Sequence, residues 1–195
     1  MFKFPEEKPN LKEDHHGWFS DDNKSFLKNI ISDNTSKIIE LGAWLGNSTL
    51  WFCQNSKATI YSIDHWKGSK EHQGRKDVKD KLPTLYETFI VNCWDYKERI
   101  VPIKMNTIDG LRWCKSNNIN PDMIFVDASH EFEDVILDLE ECMTLFPNAM
   151  VTGDDWNWKN KSQNRRKTVQ EAVVYFSKKY RYKITENGRC WLIKK

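Results

Sequence analysis

The sequence predicts an α/β fold built on a mostly parallel sheet with helices on both faces, and two observations lead to it. Short apolar strands alternate with amphipathic helices along most of the 195 residues. Strands separated by helices need crossover connections, which make the strands parallel and cover both sides of the sheet. The chain then ends in two short apolar segments joined through Asn187-Gly188, a pair that favours a β-hairpin. One strand of this hairpin must run antiparallel to the rest.

The N-terminal half is assigned from the spacing of its apolar residues. A helix is predicted over 21–31, because residues such as Phe26 and Ile30 fall on one helical face. The elements that follow in this half are a strand at 37–41, a helix at 46–55, a strand at 58–63, a helix at 84–97 and a strand at 100–104. The intervening segment 67–83 is rich in charge and contains Gly and Pro, which predicts an irregular loop. It is either a lid beside a site or a solvated insertion.

The C-terminal half shows the same alternation. Its predicted elements are, in order, a helix at 108–115, a strand at 123–126, a helix at 131–146, a strand at 149–152, a helix at 165–180 and hairpin strands at 182–185 and 190–193. The helix at 131–146 is assigned because its apolar residues recur every three or four positions from Phe132 to Phe146. The helix at 165–180 carries Val169 and Val173 on one face.

Length and composition bound the class of protein. With 195 residues we expect a single domain, 1–195, in which 1–35 forms a helical cap on the substrate side and 36–195 forms the core. The 30 basic and 28 acidic residues leave a net charge of +2, which favours neither nucleic acid nor a membrane surface. Because no signal peptide or membrane span is recognisable, a cytoplasmic location is predicted. The five scattered cysteines suit reduced core residues.

A glycine turn follows the first strand and leads at once into a helix. Gly42 and Gly46 allow a sharp turn and close approach of a ligand, while Ser48 offers a polar group in the first helical turn. Trp44 stands where the dinucleotide fingerprint has its second glycine, which leaves little room for a pyrophosphate. We interpret the turn as a nucleotide-cradling loop; the alternative is a plain strand-to-helix connection.

Acidic residues stand at or near the ends of several predicted strands, where open α/β sheets bind their ligands. They are Glu40, Asp64, Asp127, Asp154 and Asp155. So many carboxylates on one edge repel one another unless cations lie among them. Suitable cations are a cofactor with sulfonium and ammonium groups and a hard divalent metal. The position of Asp64 suits a carboxylate that binds ribose hydroxyls. Taken singly, each acid could also be a cap or turn residue.

Three of these acids form a candidate metal site. Asp127, Asp154 and Asp155 could supply carboxylate oxygens to Mg²⁺, or to Mn²⁺ or Ca²⁺. Zinc is disfavoured, because no Cys/His set has the spacing of a zinc site. His130 is a candidate general base, since its pKa suits neutral pH. The alternative is that Ser129 caps the next helix and that His130 is merely exposed.

At these residues the chain resembles the class I S-adenosylmethionine-dependent methyltransferases, and within them a metal-dependent branch of catechol-type and macrolide-sugar O-methyltransferases. Four motifs carry the resemblance: Glu-Leu-Gly-Ala-Trp-Leu-Gly-Asn-Ser-Thr at 40–49, Ser-Ile-Asp-His-Trp at 62–66, Val-Asp-Ala-Ser-His at 126–130 and Thr-Gly-Asp-Asp-Trp at 152–156. The resemblance covers nearly the whole chain. It implies the Rossmann-like class I methyltransferase fold, with seven strands and the C-terminal antiparallel hairpin.

The resemblance also implies where S-adenosylmethionine binds. The implied cofactor residues are Glu40, Gly42, Ala43, Trp44, Gly46, Ser48, Asp64, His65, Trp66, Asn106 and Asp127. Among them, Glu40, Gly42 and Gly46 would border the methionine part. Asp64 would hold the ribose and Asn106 would lie near the adenine.

The same resemblance implies the chemistry at the other strand ends. Asp127, Asp154 and Asp155 match the metal ligands of the family, and Asp155 stands where catechol-type enzymes usually carry Asn. His130 and Asp127 are the implied catalytic residues: the metal would bind an acceptor hydroxyl and lower its pKa, and His130 would take the proton. Four tryptophans near the strand ends are predicted either to stack on an acceptor or to fill the core: Trp18, Trp66, Trp156 and Trp158.

Several functions are compatible with these features. The favoured hypothesis is a metal-assisted O-methyltransferase acting on a hydroxyl of a sugar, a glycan or another small polyol or aromatic acceptor. The alternatives are a metal-independent methyltransferase with another small or macromolecular acceptor, a non-catalytic S-adenosylmethionine-binding module, and a nucleotide-dependent oxidoreductase. No Asn-Pro-Pro-Tyr or Asp-Pro-Pro-Tyr motif is present, which disfavours methylation of an exocyclic base nitrogen. With the small net charge, no nucleic-acid partner is expected. The sequence is compatible with a homo-oligomer but does not specify one.

Overall fold

A computed structural model describes residues 2–159 and 164–195 of the chain. Its strands are β1 (Lys37–Leu41), β2 (Thr59–Asp64), β3 (Ile100–Lys104), β4 (Met123–Val126), β5 (Met150–Gly153), β6 (Lys183–Asn187) and β7 (Cys190–Lys194). They form a seven-stranded sheet in the order β3-β2-β1-β4-β5-β7-β6. Neighbours among β1 to β5 are parallel, whereas β7 is antiparallel to both β5 and β6. The predicted fold class, including the terminal hairpin, is confirmed.

The helices connect the strands in the predicted rhythm. They are α1 (Asp21–Lys28), α2 (Asn47–Asn55), α3 (Lys70–Gln73), α4 (Lys76–Lys79), α5 (Leu85–Asn92), α6 (Thr107–Ser116), α7 (Phe132–Leu145) and α8 (Thr168–Tyr180), with 3₁₀ segments at Leu82–Thr84 and Trp94–Arg99. Three predicted helices are longer than the observed ones by three residues or more. The helix predicted over 21–31 ends at Lys28, the one over 84–97 changes to 3₁₀ geometry after Asn92, and the one over 165–180 begins at Thr168.

The segment 67–83 was predicted to be irregular, and that prediction is wrong. It contains α3, α4 and the start of a 3₁₀ turn. The Ser69 hydroxyl accepts the His72 backbone N–H at 3.3 Å and so caps α3, and Pro83 lies in the first turn of the 3₁₀ segment. Helices of one turn are too short to show an apolar period, so local capping rather than periodicity forms them.

Two hydrophobic clusters lie on opposite faces of the sheet. One packs α6, α7 and α8 on the side of Ile39 and Leu41, and the other packs α1, α2 and α5 on the side of Ile38. Side chains alternate between the two faces of a strand, which accounts for this division within β1. The helices therefore cover both faces, as predicted, and leave the carboxyl edge of the parallel strands to the loops.

The N-terminal segment before α1 is irregular, although a helical cap was predicted over 1–35. The Asn92 side chain fixes it, because its amide donates to the Asp14 and Leu45 carbonyls at 2.7 Å each and its oxygen accepts the Asp14 N–H at 3.0 Å. Asn47 donates to the His15 carbonyl at 2.8 Å. These contacts carry Trp18 to the carboxyl edge of the sheet.

Two further observations bear on the class of protein. None of the helices between residues 2 and 195, apart from the undescribed 160–163, has the length and hydropathy needed to cross a bilayer. The five cysteines are buried and form no disulfide. Burial raises the pKa of Cys53 and of Cys114 to about 12. These thiols are core residues, as predicted, and are unreactive at neutral pH.

Candidate active site

A cavity of about 840 Å³ opens at the carboxyl edge of the sheet, where β1 lies between β2 and β4. The strand order reverses at this point, since the chain runs outward from β1 to β3 and then returns to β4. Open α/β sheets bind ligands at such a switch point. The cavity wall is made by the N-terminal segment, the glycine turn, the ends of β2, β4 and β5, the 68–75 segment and the β6–β7 turn.

The glycine turn is shaped by packing within the protein. Gly42 and Gly46 have φ values of +87° and +89°, and a Cβ on Gly42 would lie 2.0 Å from the backbone oxygen of Asp127. A Cβ on Gly46 would lie 2.6 Å from Cys93 Sγ. Gly42 lines the cavity, whereas Gly46 is not part of its wall. The missing side chains therefore make room for the chain that follows β4 and for Cys93 after α5, and the close approach of a ligand at Gly42 stays a prediction.

Glu40 is turned away from the cavity. Its side chain is fully buried, and its two oxygens accept hydrogen bonds from the hydroxyls of Ser48 at 2.5 Å, Thr49 at 2.5 Å and Ser62 at 2.8 Å. Burial raises the pKa of this carboxyl, and the three hydroxyl donors oppose the shift. Glu40 thus ties the start of α2 to β1 and β2, and the implied contact with the methionine part is not seen in the cavity wall.

Asp64 holds the glycine turn from the end of β2. Its Oδ2 accepts the backbone N–H groups of Ala43 at 3.1 Å and Trp44 at 2.9 Å, and its Oδ1 accepts that of Trp66 at 2.7 Å. Burial raises the pKa of Asp64, and these N–H donors oppose the shift. A carboxylate offers about four lone pairs. Asp64 therefore keeps one acceptor position, and it lines the cavity.

The other residues implied for the cofactor divide into two groups. Ala43, Trp44, Ser48, His65 and Asn106 line the cavity. Trp66 does not: it is 4% exposed, packs on Tyr86 and Phe89, and donates its indole N–H to the Trp44 carbonyl at 2.9 Å.

Asp138 is a cavity residue that the sequence interpretation missed. It is 3% exposed, accepts the Thr107 hydroxyl at 2.5 Å, and lies near Asn106, which caps α6 by accepting the Asp109 N–H at 2.9 Å. Burial raises its pKa to about 7, and the Thr107 hydrogen bond opposes the shift. A signal was present, because Asp138 falls within the apolar stripe of α7, between Val135 and Cys142.

The three acids at the ends of β4 and β5 come together as predicted. Asp127, Asp154 and Asp155 each place one carboxylate oxygen within 4.8 Å of the others. Strand pairing causes this, since Val126 pairs with Gly153 and the acids follow directly. A Cβ on Gly153 would lie 2.3 Å from the Trp191 ring, so glycine is needed where the acids leave the sheet.

Arg189 completes this cluster, and the sequence interpretation gave it no role. From the β6–β7 turn, its Nε–H donates to Asp154 Oδ1 at 3.2 Å, and its Nη2 donates to Asp154 Oδ2 at 3.0 Å and to Asp155 Oδ1 at 2.6 Å. The antiparallel pairing of β7 with β5, which sets Trp191 opposite Gly153, brings it there. No local motif signals such a long-range contact.

His130 is part of the cluster and is not merely exposed. Its Nε2 lies 2.7 Å from Asp155 Oδ2, and its ring packs on Trp158 with the centroids 4.2 Å apart. Its backbone carbonyl accepts the Thr168 hydroxyl at 2.5 Å. Ser129 accepts the Glu131 N–H at 3.2 Å, but the N-cap residue of α7 is Glu131, so Ser129 does not cap the helix as the alternative predicted.

The three carboxyls differ in their electrostatics. Burial raises the pKa of Asp127 far above its usual range, and the charges of Asp154 and Asp155 add to the shift. Burial and the Asp155 charge also raise the pKa of Asp154, against the effect of Arg189. Burial opposes ionisation of Asp155 too, but the His130 hydrogen bond and the positive charges of His130 and Arg189 outweigh it and lower this pKa.

The four tryptophans near the strand ends have two kinds of environment. Trp18, which is 38% exposed, and Trp158 line the cavity. Trp66 and Trp156 are 4% and 7% exposed and belong to the hydrophobic clusters. Only the first two remain candidates for stacking on a ligand.

Comparison with known proteins agrees with this fold. The pattern of a family described as "Methyltransferase domain" matches residues 39–156, more than half of the chain. This span includes the glycine turn, Asp64 and all three acids of the cluster. No curated protein sequence matches the chain.

Several solved structures share the fold. An O-methyltransferase from Bacillus cereus in complex with SAH matches with a TM-score of 0.58 and 18% identity, covering 90% of this chain and 82% of the other. CalS11, a calicheamicin methyltransferase, matches with a TM-score of 0.59 and 16% identity, covering 87% of this chain and 76% of the other. MycE is a methyltransferase from the mycinamycin biosynthetic pathway, solved in complex with Mg, SAH and mycinamycin VI. It matches with a TM-score of 0.55 and 13% identity, covering 93% of this chain and 50% of the other. Fibrillarins also match, so the fold alone does not identify an acceptor.

Proposed function

This chain belongs to the family described as "Methyltransferase domain", and from this premise we propose that it is a class I S-adenosylmethionine-dependent O-methyltransferase that uses a divalent metal. The proposed reaction is divalent-metal-assisted methylation of a hydroxyl on a sugar, a glycan or another small polyol or aromatic acceptor. The observation that carries the proposal is the cluster of Asp127, Asp154, Asp155 and His130 in the same cavity as Asp64 and the glycine turn.

The cavity residues suit the proposed methyl donor. S-adenosylmethionine supplies a methyl group on a sulfonium and also carries an ammonium, and both cations are favoured near the acidic wall of this cavity. Asp64 retains an acceptor position for a ribose hydroxyl, while Ala43, Trp44 and Ser48 form the adjacent wall. Asn106 and Asp138 form a further polar part of the wall.

The acidic cluster suits a hard divalent cation. Carboxylate oxygens are the ligands that Mg²⁺, Mn²⁺ and Ca²⁺ prefer, and three acids within 4.8 Å of one another provide them. Asp127, Asp154 and Asp155 would hold the cation, which would lower the pKa of an acceptor hydroxyl. In residues 2–159 and 164–195, no other group of three or more His, Cys, Asp or Glu has this arrangement.

In the proposed reaction His130 acts as the general base. When the imidazole is neutral and its Nε2–H donates to Asp155, the lone pair lies on Nδ1 and takes the proton of the substrate hydroxyl. Asp155 orients the imidazole and stabilises its positive charge after proton transfer. Trp158 packs on the ring and limits its rotation.

Two features support a small acceptor. The cavity, at about 840 Å³, lies within the range of roughly 300–1,000 Å³ that is common for small-ligand sites. Trp18 and Trp158 present aromatic surface on its wall, and aromatic rings pack well on sugars and other flat acceptors.

One observation favours a second candidate, metal-independent methyl transfer. Arg189 already supplies one positive charge to Asp154 and Asp155, so the cluster is partly neutralised without a metal. In that case His130 alone would activate the acceptor.

The first test measures the binding of S-adenosylmethionine by calorimetry, with and without Mg²⁺. NAD is the control ligand. We expect micromolar affinity for the methyl donor and none for NAD. The second test screens sugars, polyols, catechols and RNA as methyl acceptors and measures the S-adenosylhomocysteine that forms. Each reaction is repeated in EDTA, which removes divalent metal. Activity on a hydroxyl acceptor that EDTA abolishes supports the metal-assisted reaction. Full activity in EDTA favours the second candidate, and activity only on RNA contradicts the proposed acceptor class.

A further inference from the structure

The guanidinium of Arg189 occupies the oxygens that a cation would need. Both oxygens of Asp154 and one oxygen of Asp155 accept its N–H groups, and the other oxygen of Asp155 lies 2.7 Å from His130. Asp154 and Asp155 have side chains that are only 2% and 8% exposed. Two buried negative charges are thus paired with a positive charge that belongs to the chain itself.

Asp127 differs from the other two acids. Its carboxylate accepts no hydrogen bond from any group in the part of the chain that the structure describes. A divalent cation therefore finds one open carboxylate at Asp127 and two that already hold a guanidinium. Two cations at the same pair of buried carboxylates repel each other strongly, because little water screens them.

The position of Arg189 allows its side chain to leave without unfolding the sheet. It follows Gly188 in the turn of the terminal hairpin, and its side chain is 33% exposed. Its backbone carbonyl accepts the Trp156 N–H at 2.8 Å, which holds the main chain in place. The guanidinium can therefore rotate toward the cavity, which it lines, while the turn stays fixed.

We propose that Arg189 is an internal cation that competes with the divalent metal for Asp154 and Asp155, so that the metal binds only when the guanidinium leaves. This inference rests on the metal role proposed above. When no metal is bound, Arg189 keeps Asp154 and Asp155 paired with a positive charge. Arg189 thereby sets the metal concentration at which the site fills.

The direct test is Mn²⁺ titration, with free Mn²⁺ measured by electron paramagnetic resonance. The variants are Arg189→Gln, which removes the competing charge, and Arg112→Gln, a matched control that removes the same charge from an exposed pair with Glu141. We expect Arg189→Gln to bind Mn²⁺ about tenfold or more tightly than the unchanged chain, within the usual range for coupled binding. Arg112→Gln should leave the Kd unchanged, and Asp127→Asn should abolish binding.

The outcomes separate the inference from the proposed function. Equal or weaker Mn²⁺ binding by Arg189→Gln overturns the competition. If neither the unchanged chain nor Arg189→Gln binds Mn²⁺, both the competition and the metal role fail. Calorimetry with S-adenosylmethionine on the same samples then shows whether methyl-donor binding survives that failure.

A second measurement covers the case in which Arg189→Gln folds poorly. Replacement of Arg189 leaves Asp154 without its cation and Asp155 with His130 alone. We therefore expect the thermal unfolding temperature of Arg189→Gln to rise far more on going from EDTA to Mg²⁺ than that of the unchanged chain. Arg189→Lys keeps the charge and should resemble the unchanged chain in both media. An unfolding temperature of Arg189→Gln that is the same in EDTA and in Mg²⁺ contradicts the competition.

Discussion

The two sides of the cavity satisfy their buried acids in different ways. On the side of β1 and β2, Glu40 and Asp64 accept hydrogen bonds from neutral hydroxyl and backbone N–H groups. On the side of β4, β5 and β7, Asp154 and Asp155 are paired with the cationic side chain of Arg189. Neutral donors fix geometry, whereas charged partners can be exchanged for other cations. The first side is therefore a frame, and the second is where we place the chemistry.

The largest effect expected from this comparison is on catalysis. His130→Gln removes the proposed base from the second side, and we expect kcat to fall by about 10²–10⁴-fold, the usual contribution of general-base catalysis. Calorimetry should show unchanged affinity for S-adenosylmethionine, because no cofactor contact is assigned to His130. An unchanged kcat on the acceptor found in the screen would remove His130 from the mechanism.

The next effect concerns the stability of the frame. Glu40→Ala removes the acceptor of three buried hydroxyls and leaves a cavity, so we expect a loss of about 2–4 kcal/mol in the free energy of unfolding. Urea denaturation measures this loss. Glu40→Gln is the matched control, since its amide can still accept from one hydroxyl and donate to another, and its loss should be smaller. Equal losses for the two variants would show that the hydroxyl contacts do not stabilise the turn.

An effect that depends on pH is expected at Asp138, another acid with only a neutral side-chain donor. Burial raises its pKa from 3.8 to about 7, so the folded protein binds a proton that the unfolded chain has released over this range. Stability should therefore fall as the pH rises from 4 to 7 and then level off. Asp138→Asn removes this loss, and we expect its stability relative to the unchanged chain to be about 4 kcal/mol more favourable at pH 8 than at pH 4.

The check on this prediction is urea denaturation of both proteins at several pH values. Asn keeps an oxygen for the Thr107 hydroxyl, so packing is little changed. A difference in unfolding free energy between the two proteins that does not vary with pH would show that Asp138 ionises normally in the folded state.

The strands β1 to β5 and β7 were predictable because each contains a local apolar run, and β6 was predictable because the Asn187-Gly188 turn pairs it with β7. The acids were predictable as a group for a related reason: the carboxyl ends of parallel strands share one edge, so Asp64, Asp127 and Asp154 had to approach the same cavity. The helices α3 and α4 were not predictable, since one turn of helix shows no apolar period.

The environment of individual site residues was harder to predict. Glu40 lies in β1 between Ile39 and Leu41, and nothing local says that three hydroxyls from two other elements satisfy it. Arg189 reaches the acidic cluster only because β7 pairs with β5 in one register. Both contacts depend on tertiary structure, whereas motifs report only neighbours in sequence.

The close approach of Gly42 to Asp127 has a consequence for how such an enzyme can diversify. The Asp127 N–H donates to the Leu41 carbonyl at 2.8 Å, and no side chain fits between residue 42 and the Asp127 backbone. The distance between the glycine turn and the first acid of the cluster is therefore set by the sheet itself. Substitutions in the N-terminal segment or in α3 can reshape the cavity wall around Trp18 without altering that distance. The fold therefore separates a cavity wall in which side chains can change from the Gly42–Asp127 contact, in which no side chain can be added.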